Sequence, residues 1–406
     1  MENFTRYLKI LLGVVVAAII VVASTNILVD PFALFAVPEV AGLNQRKTET
    51  FKHIRLMKAY EIRRVKADAV ILGNSRIEMA LDPTHPAFRA LSQTPYNAAL
   101  SGGTLYEVLR YLQHADAQQP IKAAVLGLDK AMFELKAQDD FDETILAVSR
   151  DGATNHYPFA QLIRTAMSLD TFDASQRTVE RQSVATAIEY RADGMRRPES
   201  ADNAVGVEGG ARAAFRNKMD KFGGKGGDRK KIDEREHAYE NFRQLLKYCR
   251  TRHIDMHIFI HPLHAWTEEN FAALGEGESL VQWKRKLVEI IEDEVGADKT
   301  SFPLWDFSGY NTVTTEAVPL DGDRVARMKY YWEPLHYTKL TGDLILDRMF
   351  GTQDSSRTMP ADFGVLLNSD NFDRVNAQNQ KAREQFRKLF VADIAEIESV
   401  MRRGAR

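Results

Sequence analysis

No residue from 10 to 29 carries a charge, and most of them are aliphatic. A helix rising about 1.5 Å per residue covers about 30 Å over such a run, the thickness of a bilayer's hydrocarbon core. A buried core helix is an alternative, against which stand twenty residues with no polar face at the extreme N-terminus. A cleaved signal peptide is the rival reading, with a shorter apolar region of about 7–15 residues, and Val22-Ala23-Ser24 would serve as its cleavage site. Length favours a retained anchor through residues 10–29, embedded in a lipid bilayer. Arg6 and Lys9 precede the run and no Lys or Arg follows it until Arg46. The positive-inside rule therefore keeps residues 1–9 in the cytoplasm and exports the rest, to the periplasm in a bacterium-like cell with the anchor in the inner membrane.

The remainder is of ordinary globular composition. Among its 406 residues, 54 Lys and Arg face 56 Asp and Glu, a net charge of -2, so no global field draws the chain toward nucleic acid. Cys249 is the only cysteine, which excludes an internal disulfide and a cysteine-rich zinc site. Residues 30–66 read as a stem whose apolar positions recur at helical spacing, with its charges on a solvated face. From 67 onward, strands alternate with helices. Strands are expected at 67–72, 94–98, 121–128, 253–260 and 302–307, and helices at 104–115, 236–252, 279–294 and 339–349. That rhythm predicts an α/β fold, a mainly parallel sheet between two helical layers, over residues 67–350. Residues 137–233 interrupt it and read as an insertion, partly helical and partly mobile, with a glycine-rich stretch at 222–227. Residues 351–406 form a C-terminal extension carrying one long helix at 370–402.

Ligands bind such sheets at the carboxyl ends of the strands. Ser75 follows the first strand, where a hydroxyl at a strand-to-helix turn is either a nucleophile or a helix N-cap. Far along the chain, Glu333 stands three residues before His336, a spacing at which a carboxylate can orient an imidazole that accepts a serine proton. His253 and His257 would form a metal pair on a helix, but Ile254, Met256, Ile258 and Ile260 alternate as in a strand, so no metal site and no cofactor is expected. His261 and His264 sit at that strand's carboxyl end and are candidates to line the cleft or to supply a rival base.

Taken together, four blocks resemble the SGNH (GDSL-like) hydrolase family: Gly73-Asn74-Ser75-Arg76, Asn97 to Thr104 with Gly102, Val125 to Asp129, and Glu333-Pro334-Leu335-His336. The resemblance implies an SGNH-like three-layer α/β/α fold. It further implies Ser75 as nucleophile, His336 as base, Glu333 as its orienting acid, and Gly102 as an oxyanion donor, with Asn74 and Arg76 in the first block beside them. Two positions depart from the family pattern. Asp129 stands where the family supplies an asparagine donor, and an ionised carboxylate only accepts hydrogen bonds. Asp129 must be protonated, do another job or point elsewhere, with Asn74 or a backbone N–H standing in. Glu333 replaces an aspartate, a mild change.

Membrane-anchored members of this family commonly add or remove O-acetyl groups on envelope or exported polysaccharides. The resemblance thus implies a serine-dependent esterase or O-acyltransferase, with Tyr331, Trp332 and Tyr337 available to stack on sugar faces. The alternatives are an inactive SGNH-like domain that binds polysaccharide or scaffolds envelope-synthesis proteins, and a metal-dependent hydrolase using His257, His261 and His264.

Overall fold

The computed structural model describes residues 2–135, 141–150, 152–155, 157–223, 232–295, 301–352 and 354–404. Its helices are α1 (Glu2–Val29), α2 (Ile54–Val65), α3 (Ser75–Ala80), α4 (Pro86–Arg89), α5 (Leu105–Gln118), α6 (Tyr157–Met167), α7 (Leu169–Glu180), α8 (Glu199–Val207), α9 (Ala211–Gly223), α10 (Ile232–Thr251), α11 (Ala265–Ala273), α12 (Gly277–Asp293), α13 (Lys339–Phe350), α14 (Phe372–Leu389) and α15 (Val391–Gly404). Its strands are β1 (Ala69–Leu72), β2 (Pro95–Asn97), β3 (Ala123–Leu128), β4 (Asp255–Ile260), β5 (Leu304–Asp306), β6 (Tyr331–Glu333), β7 (His336–Tyr337) and β8 (Val365–Leu366).

Six strands form one sheet in the order β2-β1-β3-β4-β5-β8. All neighbours run parallel except β8, which pairs antiparallel with β5. The fold is therefore mixed α/β with a mainly parallel sheet, as the strand–helix rhythm requires. Every residue of β1 and β3 is buried, because alternate side chains enter two separate cores. Val70, Leu72, Leu126 and Ile258 meet α2, α5, α10 and α12 on one face. Ile71, Val125 and Phe259 meet α3, α9, α11, α13, α14 and α15 on the other. The chain reverses its direction of winding between β1 and β3, and in such sheets the crevice at that reversal is where ligands bind.

Several expectations from the sequence need correction. Only part of the α2 charge forms a solvated face: Arg63 and Arg64 are exposed, but Arg55 donates to Glu107 at 2.7 Å, Lys58 to the Asn97 and Ala99 carbonyls at 2.9 and 2.6 Å, and Glu61 accepts from Tyr96 at 2.6 Å. All three are buried, because α2 packs against the sheet rather than standing off it as a stem. The fourth strand begins at Asp255, not 253, since His253 adopts φ 55 where the chain turns out of α10. The described part of 137–233 is mostly helical and built into the domain, with α6 and α7 against α1 and α9 against β6 and α15. Residues 224–227 of the glycine-rich stretch lie outside the described residues. The C-terminal segment holds two helices, not one. The chain breaks at Phe390 (φ -112, ψ 44) and α15 folds back onto α9 and α11, burying Ile394, Ile397 and Val400.

Candidate active site

The β1 strand ends at Leu72, and Asn74 caps the helix that follows by accepting from the Arg76 N–H at 3.1 Å. Because Asn74 takes the cap, Ser75 becomes the first residue of α3 with its hydroxyl free for another partner. That partner is His336, whose Nε2 lies 2.8 Å from Ser75 Oγ. His336 opens β7 and Glu333 closes β6, so a two-stranded hairpin rather than an open loop joins them. Glu333 Oε1 accepts from His336 Nδ1, and Glu333 Oε2 accepts from the Leu335 N–H at 2.8 Å. With Nδ1 holding its proton toward Glu333, Nε2 presents a lone pair to the serine hydroxyl.

The electrostatics favour that proton arrangement. Burial pushes the His336 pKa down; Glu333 pulls it up, and the balance stays below the usual histidine value. Burial works against ionisation of Glu333, but His336, Lys218 and the Leu335 N–H outweigh it and hold its carboxyl at about 2. The imidazole is neutral and the carboxylate charged near neutral pH, the states a general base and its orienting acid need. Lys218, on α9, sits 3.2 Å from Glu333 Oε1. Sequence reasoning misses this residue, because it lies among mixed charges far from any site motif.

Asp129 follows β3, and its carboxylate is occupied as a hydrogen-bond acceptor. Its carboxylate accepts from Asn74 Nδ2 at 2.5 Å, from the Met132 N–H at 3.1 Å and from the Arg76 guanidinium. Burial disfavours the charge, yet Arg76, Asn74 and the Met132 N–H together keep the carboxyl below its ordinary value. Arg76 also donates through Nε to the Leu335 carbonyl at 2.8 Å, tying the β6–β7 turn to the end of β3. Asn74 is thus held at both ends of its amide, and one of its two Nδ2 hydrogens is spent on Asp129.

Gly102 lies in a turn fixed to the serine loop by the Leu100 N–H, which donates to the Gly73 carbonyl at 3.0 Å. Its φ of 65 is a left-handed value that suits glycine. Among the described residues its N–H enters no backbone hydrogen bond, and neither does that of Ser75.

The remaining candidates divide. His261 is buried, its Nδ1 paired with the Tyr337 hydroxyl at 2.8 Å and its Nε2 without a partner. Burial and then Arg76 push its pKa down to about 3, so it stays neutral. His264 does not line the cleft: it caps α11 through the Trp266 N–H and pairs with the Glu316 carbonyl at 2.8 Å. His257 pairs with Asp255 at 3.0 Å and packs at a tilt against Phe350, so the three histidines of the metal reading diverge. Tyr331 and Tyr337 are buried and cannot stack on a sugar; Tyr331 donates to the Pro262 carbonyl at 2.8 Å. Trp332, between them in sequence, stays half-buried against the second core with its indole N–H unpaired.

A serine, a histidine and a carboxylate in hydrogen-bonded series, at the carboxyl end of a parallel strand, can carry out nucleophilic acyl chemistry. No family model matches the chain, and no curated protein matches it either.

Proposed function

We propose that the chain is a membrane-anchored serine esterase or O-acyltransferase of the SGNH type, acting on O-acylated envelope or exported polysaccharide. The observation that carries this reading is the Ser75–His336–Glu333 series, with 2.8 Å between nucleophile and base. In the reaction His336 takes the Ser75 proton as Oγ attacks the ester carbonyl, and the alcohol departs with that proton. The acyl-serine is then released to water in hydrolysis or to a sugar hydroxyl in transfer. Backbone N–H groups of Ser75 and Gly102 are the oxyanion donors, and half-buried Trp332 is the aromatic surface left for a sugar. The apolar α1 supports an anchor, and the Arg6 and Lys9 bias supports an exported domain.

A second reading is a non-catalytic polysaccharide-binding or scaffolding domain. It draws on Asp129, which supplies no donor to an oxyanion; loss of one donor typically costs about 10²–10³ in rate. Fluorophosphonate labelling of the detergent-solubilised full chain separates the two. The enzyme reading expects labelling that is lost in Ser75→Ala and strongly slowed in His336→Gln, together with cleavage of p-nitrophenyl acetate. Equal labelling of wild type and Ser75→Ala, or no labelling and no cleavage, sinks it.

A further inference from the structure

Helix α6 is apolar on two sides, which a water-facing helix does not need to be. Its inner side is accounted for: Leu162 packs against Phe32, Leu34, Tyr60 and Ala174. Its outer side is not. Phe159, Ile163 and Met167, spaced four apart and therefore stacked along one face, are 70%, 48% and 50% exposed, and Leu169 at the start of α7 is 69% exposed. Large apolar side chains grouped this way mark an interaction surface.

What lies beside that surface is α1. Asn26, fully buried, donates to the Ala166 and Ser168 carbonyls at 2.9 Å each and accepts from Ser175 Oγ at 3.1 Å. These bonds fix the α6–α7 junction at the level of Asn26. Below that level α1 is bare, with Leu12, Ile20 and Val21 59–64% exposed. Val21 is only about 8 Å along the helix axis from Asn26. An amphipathic helix lying in a membrane interface buries its apolar face by about 5–10 Å, so the α6–α7 junction, held at Asn26, lies within that depth of the bare stretch of α1.

We propose that α6 and the start of α7 dock into the lipid interface beside α1, seating Phe159, Ile163, Met167 and Leu169 at the boundary of headgroups and acyl chains. The occupant is lipid because the patch continues the exposed apolar surface of α1. The inference rests on α1 spanning the bilayer. Its consequence is a two-point attachment: a single helix leaves a domain free to swing, whereas a helix with an adjoining interfacial hairpin holds it at one tilt.

The test uses the full chain in vesicles of phosphatidylcholine and phosphatidylglycerol, with single cysteines introduced as Phe159→Cys, Ile163→Cys, Val15→Cys or Val207→Cys and labelled with an environment-sensitive maleimide dye. Native Cys249 does not compete, being buried with its thiol pushed up to about 12. Lipids carrying a quencher high on the acyl chain are expected to dim the labels at 159 and 163 several-fold and to leave the label at 207, on an exposed residue, unchanged; deep quenchers dim the label at 15. Labels at 159 and 163 as wet and unquenched as that at 207 overturn the docking while a quenched 15 leaves the anchor standing. An unquenched 15 overturns the anchor reading and the docking with it. Shielding at 159 and 163 that follows protein density and ignores lipid quenchers assigns the patch to a second copy of the chain and also overturns the proposal.

Discussion

Removing the Arg76 guanidinium tests whether Asp129 is a structural anion rather than a misplaced oxyanion donor. The two side chains are 11% and 6% exposed, so Arg76→Met strands a carboxylate in the interior with only Asn74 and the Met132 N–H to hold it. Breaking a buried pair from one side costs about 3–5 kcal/mol. Asp129→Asn strands the guanidinium instead, which cannot lose its charge, and is expected to cost a similar amount. Arg76→Met combined with Asp129→Asn removes both charges, so its cost falls short of the sum by about 2 kcal/mol or more, within the range seen for contacting residues. Urea unfolding of the four forms gives the cycle directly. A functional reading accompanies it: without Arg76 the Leu335 carbonyl loses its tie, the His336 turn loosens, and fluorophosphonate labelling slows, since a misplacement of about 1 Å can cost 10²-fold. Stability costs that add to within about 0.5 kcal/mol, or an Arg76→Met that labels at the wild-type rate, would refute the argument.

Three further outcomes follow from the geometry. Lys218→Met removes a cation that lowers the His336 pKa, so the acid limb of the labelling rate, set by protonation of the base, moves to higher pH; an unmoved limb rules out the electrostatic role. His114 donates through Nε2 to the Ala59 carbonyl and accepts the Ala147 N–H at Nδ1, both at 2.8 Å, and burial pushes its pKa from 6.5 to about 4. Its neutral form is the folded one, so its stability contribution is intact above pH 6.5 and is lost as pH falls toward 4, by roughly 3 kcal/mol. The melting temperature of His114→Gln should therefore fall less steeply than wild type across that window. Gly342→Ala places a Cβ 2.0 Å from the Ala80 carbonyl oxygen, forcing α13 away from α3; melting should show a loss of about 1–3 kcal/mol and labelling of Ser75 should slow.

Long apolar runs make the central sheet readable. Residues 121–128 and 254–260 carry enough Val, Ile and Leu to name β3 and β4 from side-chain pattern alone, and strand ends locate Ser75, Asp129 and His261 at one edge. The hairpin of Glu333 and His336 is not readable as strands, because β6 and β7 have three and two residues and show no periodicity. The break at Phe390 is hidden for a related reason: no Pro or Gly marks it, and the fold-back is driven by burying Ile394 and Ile397 against distant helices. Pairings made over long separations, Lys218 with Glu333 and Lys58 with the Asn97 and Ala99 carbonyls, leave no local trace, since a lysine on a helix reads the same whether its partner is water or a carbonyl of the core.

The site joins parts of very different origin. His336 and Glu333 are three residues apart, whereas Ser75 and His336 are separated by 261. The imidazole–carboxylate couple is a local product of a hairpin, and the nucleophile reaches it only when the whole sheet is assembled. A hairpin of three and two residues does not persist alone, so the couple lasts only as long as the packing around it: loss of a downfield imidazole proton in the NMR spectrum and loss of reactivity toward fluorophosphonate should share one denaturant midpoint.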